Sequence, residues 1–195
     1  MDILFRENIL CHLLKPCIET YFNGRHEFIG QLYGFKENNR FILEDVFIDV
    51  TAKGKKELVN PIPYKIHRKV SQNLEGLTMR NNIGDVHSHV LTTNDMNDSE
   101  NKKEYLDYLN AFGTPSKGDK TTMKKDNQHI YLITTLCERK YQIKWGYTAN
   151  GRSLIGNTKD ITFHISAWYF NTRKRKFQTA KIIASLPIER HINSQ

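Results

Sequence analysis

Short apolar segments of strand length, separated by polar turns, recur along the whole chain. Residues 83–90, with the sequence IGDVHSHV, are one such segment. They have the length of a short strand, whose side chains point alternately to the two faces of a sheet, and they follow directly on a predicted helix. Further strands are predicted at residues 27–33, 41–50, 129–136, 141–147, 162–170 and 177–184. A chain of 195 residues with this many strands is expected to fold around a sheet.

Three longer segments place their apolar residues at helical spacing, namely residues 5–20, 64–79 and 99–112. The apolar stripe of the second segment consists of Ile66, Val70, Leu74 and Leu77. We therefore expect residues 1–195 to form one domain of the mixed α/β class, with a sheet flanked by helices.

Composition excludes several classes of protein. Aromatic residues make up 11% of the chain, too many for a disordered protein, and no apolar run approaches the roughly 18 residues of a membrane span. The N-terminus lacks the unbroken apolar segment of a secretory signal. Cysteines at positions 11, 17 and 137 are odd in number and form no CxxC pair, so we expect buried, inert thiols in a reducing cytoplasm.

The formal charge is 29 − 21 = +8, which favours anionic partners. Its densest basic run, residues 173–176, is interpreted as an exposed hairpin turn between two strands. No RNA-recognition or zinc-finger motif accompanies this run, so we do not expect nucleic acid as the partner. The other possible anionic partner is an acidic protein surface.

The histidines of the 83–90 segment are the first candidates for chemistry. His87 and His89 are two residues apart, so on a strand both imidazoles point to one face and could bind one metal ion, with Asp85 available to orient a ring. This spacing alone is a weak signal. The histidines at positions 67, 129 and 164 are expected to be packed or surface side chains.

A metal site needs a third ligand and a proton acceptor. Ser116 and Asp119 have the spacing of a helix N-terminus, where both would simply cap free N–H groups, and Asp119 could instead complete a metal site. Glu27 begins a predicted strand beside Phe28 and Ile29, where partial burial would raise its pKa towards that of a general base.

Taken together, these segments resemble the signature of the JAMM (JAB1/MPN/Mov34) metalloproteases. The matching residues are Glu27 to Gly34 (EFIGQLYG), Gly84 to His89 (GDVHSH) and Pro115 to Asp119 (PSKGD). The sequence departs from the family in having Val90 where a proline usually follows the second His, and in a gap of 26 residues before Ser116. The excess, residues 92–112, is interpreted as an insertion that forms either a flap beside the metal or a surface loop.

The resemblance implies a JAB/MPN-like domain with a curved, mostly antiparallel sheet and a cytidine-deaminase-like architecture. It also implies that His87, His89 and Asp119 hold one zinc ion, that Glu27 is the general base and that Ser116 stabilises the oxyanion. The implied activity is hydrolysis of the peptide or isopeptide bond after the C-terminal glycine of a ubiquitin-like protein. The alternative is a binding or scaffold protein with an idle site, and a nucleic-acid-associated relative is a weaker one.

Overall fold

A computed structural model describes residues 1–24, 26–49, 53–55, 58–60, 64–96, 101–125 and 130–185 of the chain. Its helices are α1 (Ile9–Phe22), α2 (Tyr64–Thr78), α3 (Thr93–Met96), α4 (Lys102–Phe112) and α5 (Lys117–Lys125). Its strands are β1 (Asp2–Phe5), β2 (Ile29–Glu37), β3 (Arg40–Ile48), β4 (Lys53–Lys55), β5 (Leu58–Asn60), β6 (Asn81–Val90), β7 (Ile130–Glu138), β8 (Gly146–Tyr147), β9 (Leu154–Asn157), β10 (Ile161–Asn171) and β11 (Lys176–Ile183).

Seven of the strands close into a barrel. Their order is β11-β1-β3-β2-β6-β7-β10, and the ring is completed because β10 also pairs with β11. Both partners of β1 run parallel to it, as does β7 beside β6, and the remaining pairs in the ring are antiparallel. The short strands β9 and β8 continue the sheet from the part of β10 that β11 does not cover, and β4 pairs with β5 separately.

The inner face of the barrel forms the main core together with α1. Strands β6, β7 and β10 turn Val86, Leu132 and Phe163 into it, and all three are fully buried. Helix α1 adds Ile9 and Leu13, also fully buried, so the helix covers the apolar interior that the strands leave open. Burial of such side chains is the main source of stability in a fold of this size.

A second, smaller apolar cluster lies on the outer side of the sheet, at β7 and β9. Helix α4 packs on it through Tyr105 and Leu109, which are fully buried against Cys137 of β7 and Ile155 of β9. The predicted insertion at residues 92–112 therefore contains α3 and α4, and α4 is a packed part of the fold that covers one side of the barrel wall.

The predicted fold class is wrong. We expected a mixed α/β, MPN/JAB-like domain with a curved sheet flanked by helices and a cytidine-deaminase-like architecture. The structure is mostly β, with a closed seven-stranded barrel and a few short helices. The physical reason is that closure depends on β1, whose pairing with β11 joins residues 2–4 to residues 181–183 and leaves no local signal in the sequence.

Several element predictions also need correction. The helix predicted for residues 5–20 begins only at Ile9, after a strand, and the strand predicted for residues 141–147 is reduced to Gly146–Tyr147. Val70 and Leu77 of the predicted apolar stripe on α2 are exposed. Position 129 and the side chain of the histidine at position 67 lie outside the described residues.

The predicted burial of the cysteines is confirmed for Cys17 and Cys137 and is wrong for Cys11, which is exposed; all three thiols are free. Cys17 and Cys137 are buried, and burial raises the pKa of Cys137 to about 12, which keeps its thiol protonated and unreactive. The basic run at residues 173–176 lies at an exposed turn between β10 and β11, as predicted. None of the described helices combines the length and apolar character needed to cross a membrane.

Candidate metal centre

Strand β6 presents its two histidines on the outer face of the barrel. Val86, Ser88 and Val90 alternate with them and point into the buried interior. His87 and His89 therefore share the opposite face, beside the covering helices, and each keeps 17% of its side chain exposed. This confirms the predicted placement of both imidazoles on one side of a strand.

Glu27 approaches the same face from the segment that leads into β2. Phe28 lies opposite Ser88, because the Phe28 N–H donates to Ser88 Oγ at 2.9 Å and the Ser88 N–H donates to the Phe28 carbonyl at 3.1 Å. The β2–β6 register pairs Ile29 with His87, and continued by two residues it would bring Glu27 opposite His89. Glu27 is half-buried and lines one cavity with His89, which places it beside the histidines.

The N-terminus of α5 supplies the third member of the cluster. The Ser116 N–H donates to Asp119 Oδ2 at 2.7 Å, and the Asp119 N–H donates to Ser116 Oγ at 3.2 Å, which together form a capping box. The other carboxylate oxygen of Asp119, Oδ1, lies 3.5 Å from His87 Nε2. Capping and ligation were alternatives in the sequence, and in the structure one carboxylate has the geometry for both.

The ligand atoms of the three side chains lie close enough to share one ion. His87 Nε2 is 3.1 Å from His89 Nε2, and His89 Nε2 is 3.8 Å from Asp119 Oδ2. Tetrahedral zinc with bonds of about 2.0–2.1 Å places neighbouring ligand atoms roughly 3.3 Å apart. The cluster His87, His89 and Asp119 could therefore hold a metal ion of this size.

A hydrogen bond from His89 fixes which of its nitrogens faces the cluster. His89 Nδ1 lies 2.6 Å from the carbonyl oxygen of Phe112, at the end of α4. A carbonyl only accepts hydrogen bonds, so Nδ1 carries the proton and Nε2 keeps its lone pair towards the cluster. Metal-binding histidines commonly have such a partner on the second nitrogen.

The electrostatics of the cluster favour the metal-binding forms of Asp119 and His89. Burial alone would raise the pKa of Asp119. The hydrogen bond and the charge of His87 lower that pKa, as do the hydrogen bonds from Ser116, and together they hold it well below its usual range. Burial lowers the pKa of His89, and the neighbouring His87 lowers it further. The ionised carboxylate of Asp119 and the neutral imidazole of His89 are the forms in which these two side chains bind a metal ion.

A cavity of about 290 Å³ opens beside the cluster. Its lining consists of Glu27, His89, Val90, Leu91, Asp95, Phe112 and Ser116. The structure thus brings together all five residues predicted for the site. Glu27 and Ser116 line the cavity, His87 and Asp119 belong to the cluster, and His89 belongs to both. The Phe112 carbonyl was missed, because a backbone acceptor has no signature in the sequence.

Replacing Asp119 should remove most of the metal affinity. Asp119→Asn keeps an oxygen for the helix cap but loses the negative charge, and we expect the dissociation constant for zinc to rise by more than about 100-fold. Competition with a chromophoric chelator measures this dissociation constant. Asp107→Asn, at an exposed position of α4, is the matched control and should bind zinc like the unmodified protein. Equal affinities in the two variants would contradict the assignment of Asp119.

Comparisons with known proteins inform the fold alone. No model of a known protein family matches the sequence, and no curated protein matches it either. The solution structure of protein DSY2949 from Desulfitobacterium hafniense is similar, with a TM-score of 0.53, 13% identity and coverage of 99% of each chain. At this identity the similarity extends to the arrangement of the elements and carries no activity.

Proposed function

We propose that this protein is a zinc-dependent peptidase that cleaves the peptide or isopeptide bond after the C-terminal glycine of a ubiquitin-like protein. The observation that carries the proposal is the position of Glu27, which lines one cavity with His89 and Ser116. A carboxylate, a hydroxyl and a three-ligand cluster beside one open space are the groups that metal-assisted hydrolysis requires.

Each residue has a role that its contacts support. When bound, zinc supplies Lewis acidity, which activates water near neutral pH and polarises the scissile carbonyl. Glu27 takes the proton of the attacking water and then delivers a proton to the leaving amine, so the C–O bond forms and the C–N bond breaks without a covalent enzyme intermediate. Ser116 Oγ accepts from the Asp119 N–H, which leaves its own hydroxyl proton free to stabilise the oxyanion.

The choice of substrate rests on the resemblance to the JAMM signature, at Glu27, His87, His89, Ser116 and Asp119. The half-buried setting of the site agrees with it, since a tail that ends in glycine has no side chain to obstruct the approach of its last carbonyl to the barrel wall. With three free cysteines, the protein is expected to work in a reducing cytoplasm.

Cleavage of a linear fusion tests the proposal. The protein, loaded with one zinc per chain, is incubated with a ubiquitin-like protein joined through its C-terminal glycine to a reporter, and the products are identified by mass spectrometry. We expect a single cut after the glycine, loss of cleavage after chelation and its recovery when zinc is returned. A fusion with valine in place of the last glycine is the control substrate and should resist.

A zinc-loaded protein that cuts none of the ubiquitin-like fusions would contradict this activity. If that protein nevertheless binds them reproducibly, the binding or scaffold function is correct instead. Salt-sensitive retention of DNA or RNA without cleavage would indicate the nucleic-acid-associated alternative.

A further inference from the structure

Side chains of strand β10 donate hydrogen bonds to the turn between α4 and α5. Ser166 Oγ donates to the Gly113 carbonyl at 2.5 Å, and Trp168 Nε1 donates to the same oxygen at 2.9 Å. Trp168 Nε1 also lies 2.9 Å from Ser166 Oγ, so the two donors converge on one acceptor. Ser166 is 1% exposed, which makes this contact a buried one.

Only glycine fits at the held position. A Cβ on Gly113 would collide with the ring of His164, which is 3% exposed and packs directly beneath the turn. Neither ring nitrogen of His164 has a hydrogen-bond partner among the residues that the structure describes, so the ring acts here as a flat packing surface. The backbone of the turn is thereby pressed close to the barrel wall.

The held turn and the metal cluster lie on one continuous surface. Thr135 of β7 is the register partner of His89 on one side and of His164 on the other. Register partners of adjacent strands point to the same face, so the two histidines are separated by two strand spacings, about 10 Å. The α4–α5 turn crosses this gap, with Gly113 over His164 and the Phe112 carbonyl on His89 Nδ1.

We propose that Ser166 and Trp168 are positioning residues of the metal centre. By fixing the Gly113 carbonyl they fix the preceding peptide, so that the Phe112 carbonyl stays on His89 Nδ1 and holds Nε2 towards the ion. The inference rests on the metal-binding part of the proposed function and is independent of the substrate. In this proposal the C-terminal end of α4 also orients the metal ligand His89, through the backbone carbonyl of Phe112.

The variant Trp168→Phe tests the inference, because it removes the N–H donor and keeps an aromatic ring. Trp145→Phe is the matched control, since Trp145 Nε1 donates at the same 2.9 Å distance to the carbonyl of Asn157, outside the site. We expect Trp168→Phe to weaken zinc binding about 10-fold, in the range known for groups that orient metal ligands. Trp145→Phe should leave zinc affinity unchanged.

A second readout separates positioning from a loss of folding. Both variants are melted without metal, and the visible spectrum of bound Co²⁺ is recorded for each. We expect similar melting temperatures, with an altered Co²⁺ spectrum only for Trp168→Phe. If Trp168→Phe does not fold, Ser166→Ala takes its place with the same expectations.

Two outcomes overturn the inference. Zinc affinity and Co²⁺ spectrum of Trp168→Phe equal to those of the unmodified protein would show that the turn does not position His89. An equal loss of affinity in Trp145→Phe would show a general effect of losing an indole donor. Failure of the unmodified protein to bind zinc would instead refute the proposed function itself, and with it the site that these residues are said to support.

Discussion

Glu27→Gln should retain its zinc and lose cleavage of the ubiquitin-like fusion by about 10²- to 10⁴-fold in kcat/KM, the range that a positioned general base supplies. The amide has nearly the shape of the carboxylate but cannot accept the proton of the attacking water. Glu27 is outside the cluster formed by His87, His89 and Asp119, so the metal content should stay at the level of the unmodified protein. Steady-state kinetics and metal analysis of the same preparation measure both quantities.

Glu37→Gln is the control for this experiment, because Glu37 lies exposed at the other end of β2. It should keep both activity and metal. Cleavage by Glu27→Gln at the rate of the control would refute the general-base assignment, and loss of zinc together with activity would place Glu27 among the ligands.

Acidification should destabilise the fold through His164. Burial lowers the pKa of this histidine from 6.5 to about 4. The native state therefore binds the proton later than the unfolded chain does as the pH falls. Above pH 6.5 the ring is neutral in both states, and the free energy of unfolding keeps its full value. As the pH falls towards 4, the unfolded chain takes up the proton first, which lowers the free energy of unfolding by roughly 3 kcal/mol.

Urea unfolding of the chelated protein across this pH range measures the loss. His164→Gln cannot take up a proton there, so its free energy of unfolding should depend less steeply on pH. His12→Gln, on the exposed side of α1, should follow the unmodified protein. Parallel pH dependence in His164→Gln and the unmodified protein would contradict the assignment.

Local patterns predicted individual elements well. The short segment at residues 83–90 indicated β6, and the strands predicted at residues 162–170 and 177–184 match β10 and β11 within one residue at each end. These segments are short, rich in apolar residues and bounded by turns, which is the local signal of a strand. The strand predicted at residues 27–33 starts two residues before β2 and ends four residues before it does.

Pairings between distant parts of the chain were not predictable in this way. Strand β1 has four residues and was not predicted; only its last residue, Phe5, fell within the helix predicted for residues 5–20. Its parallel pairing with β11 closes the barrel and changes the fold class. On α2, Val70 and Leu77 form a helical stripe yet are exposed, which shows that periodicity alone does not establish burial.

The candidate site was predictable where side-chain chemistry defines it. The polar side chains of Glu27, His87, His89, Ser116 and Asp119 meet in space although three segments supply them. The supporting groups were not found, because the carbonyls of Phe112 and Gly113 have no sequence signature. The proposed reaction consequently depends on this site and its chemistry, and the proposed substrate on the resemblance to the JAMM signature. The likeness of folds contributes to neither.

Anomalous scattering at the zinc absorption edge, from crystals of the zinc-loaded protein, tests the central claim most directly. One peak is expected per chain, at bonding distance from His87 Nε2, His89 Nε2 and a carboxylate oxygen of Asp119, with an open position towards the cavity that Glu27 lines. A fully loaded protein without a peak between these three side chains, or with its zinc bound elsewhere, would contradict the account.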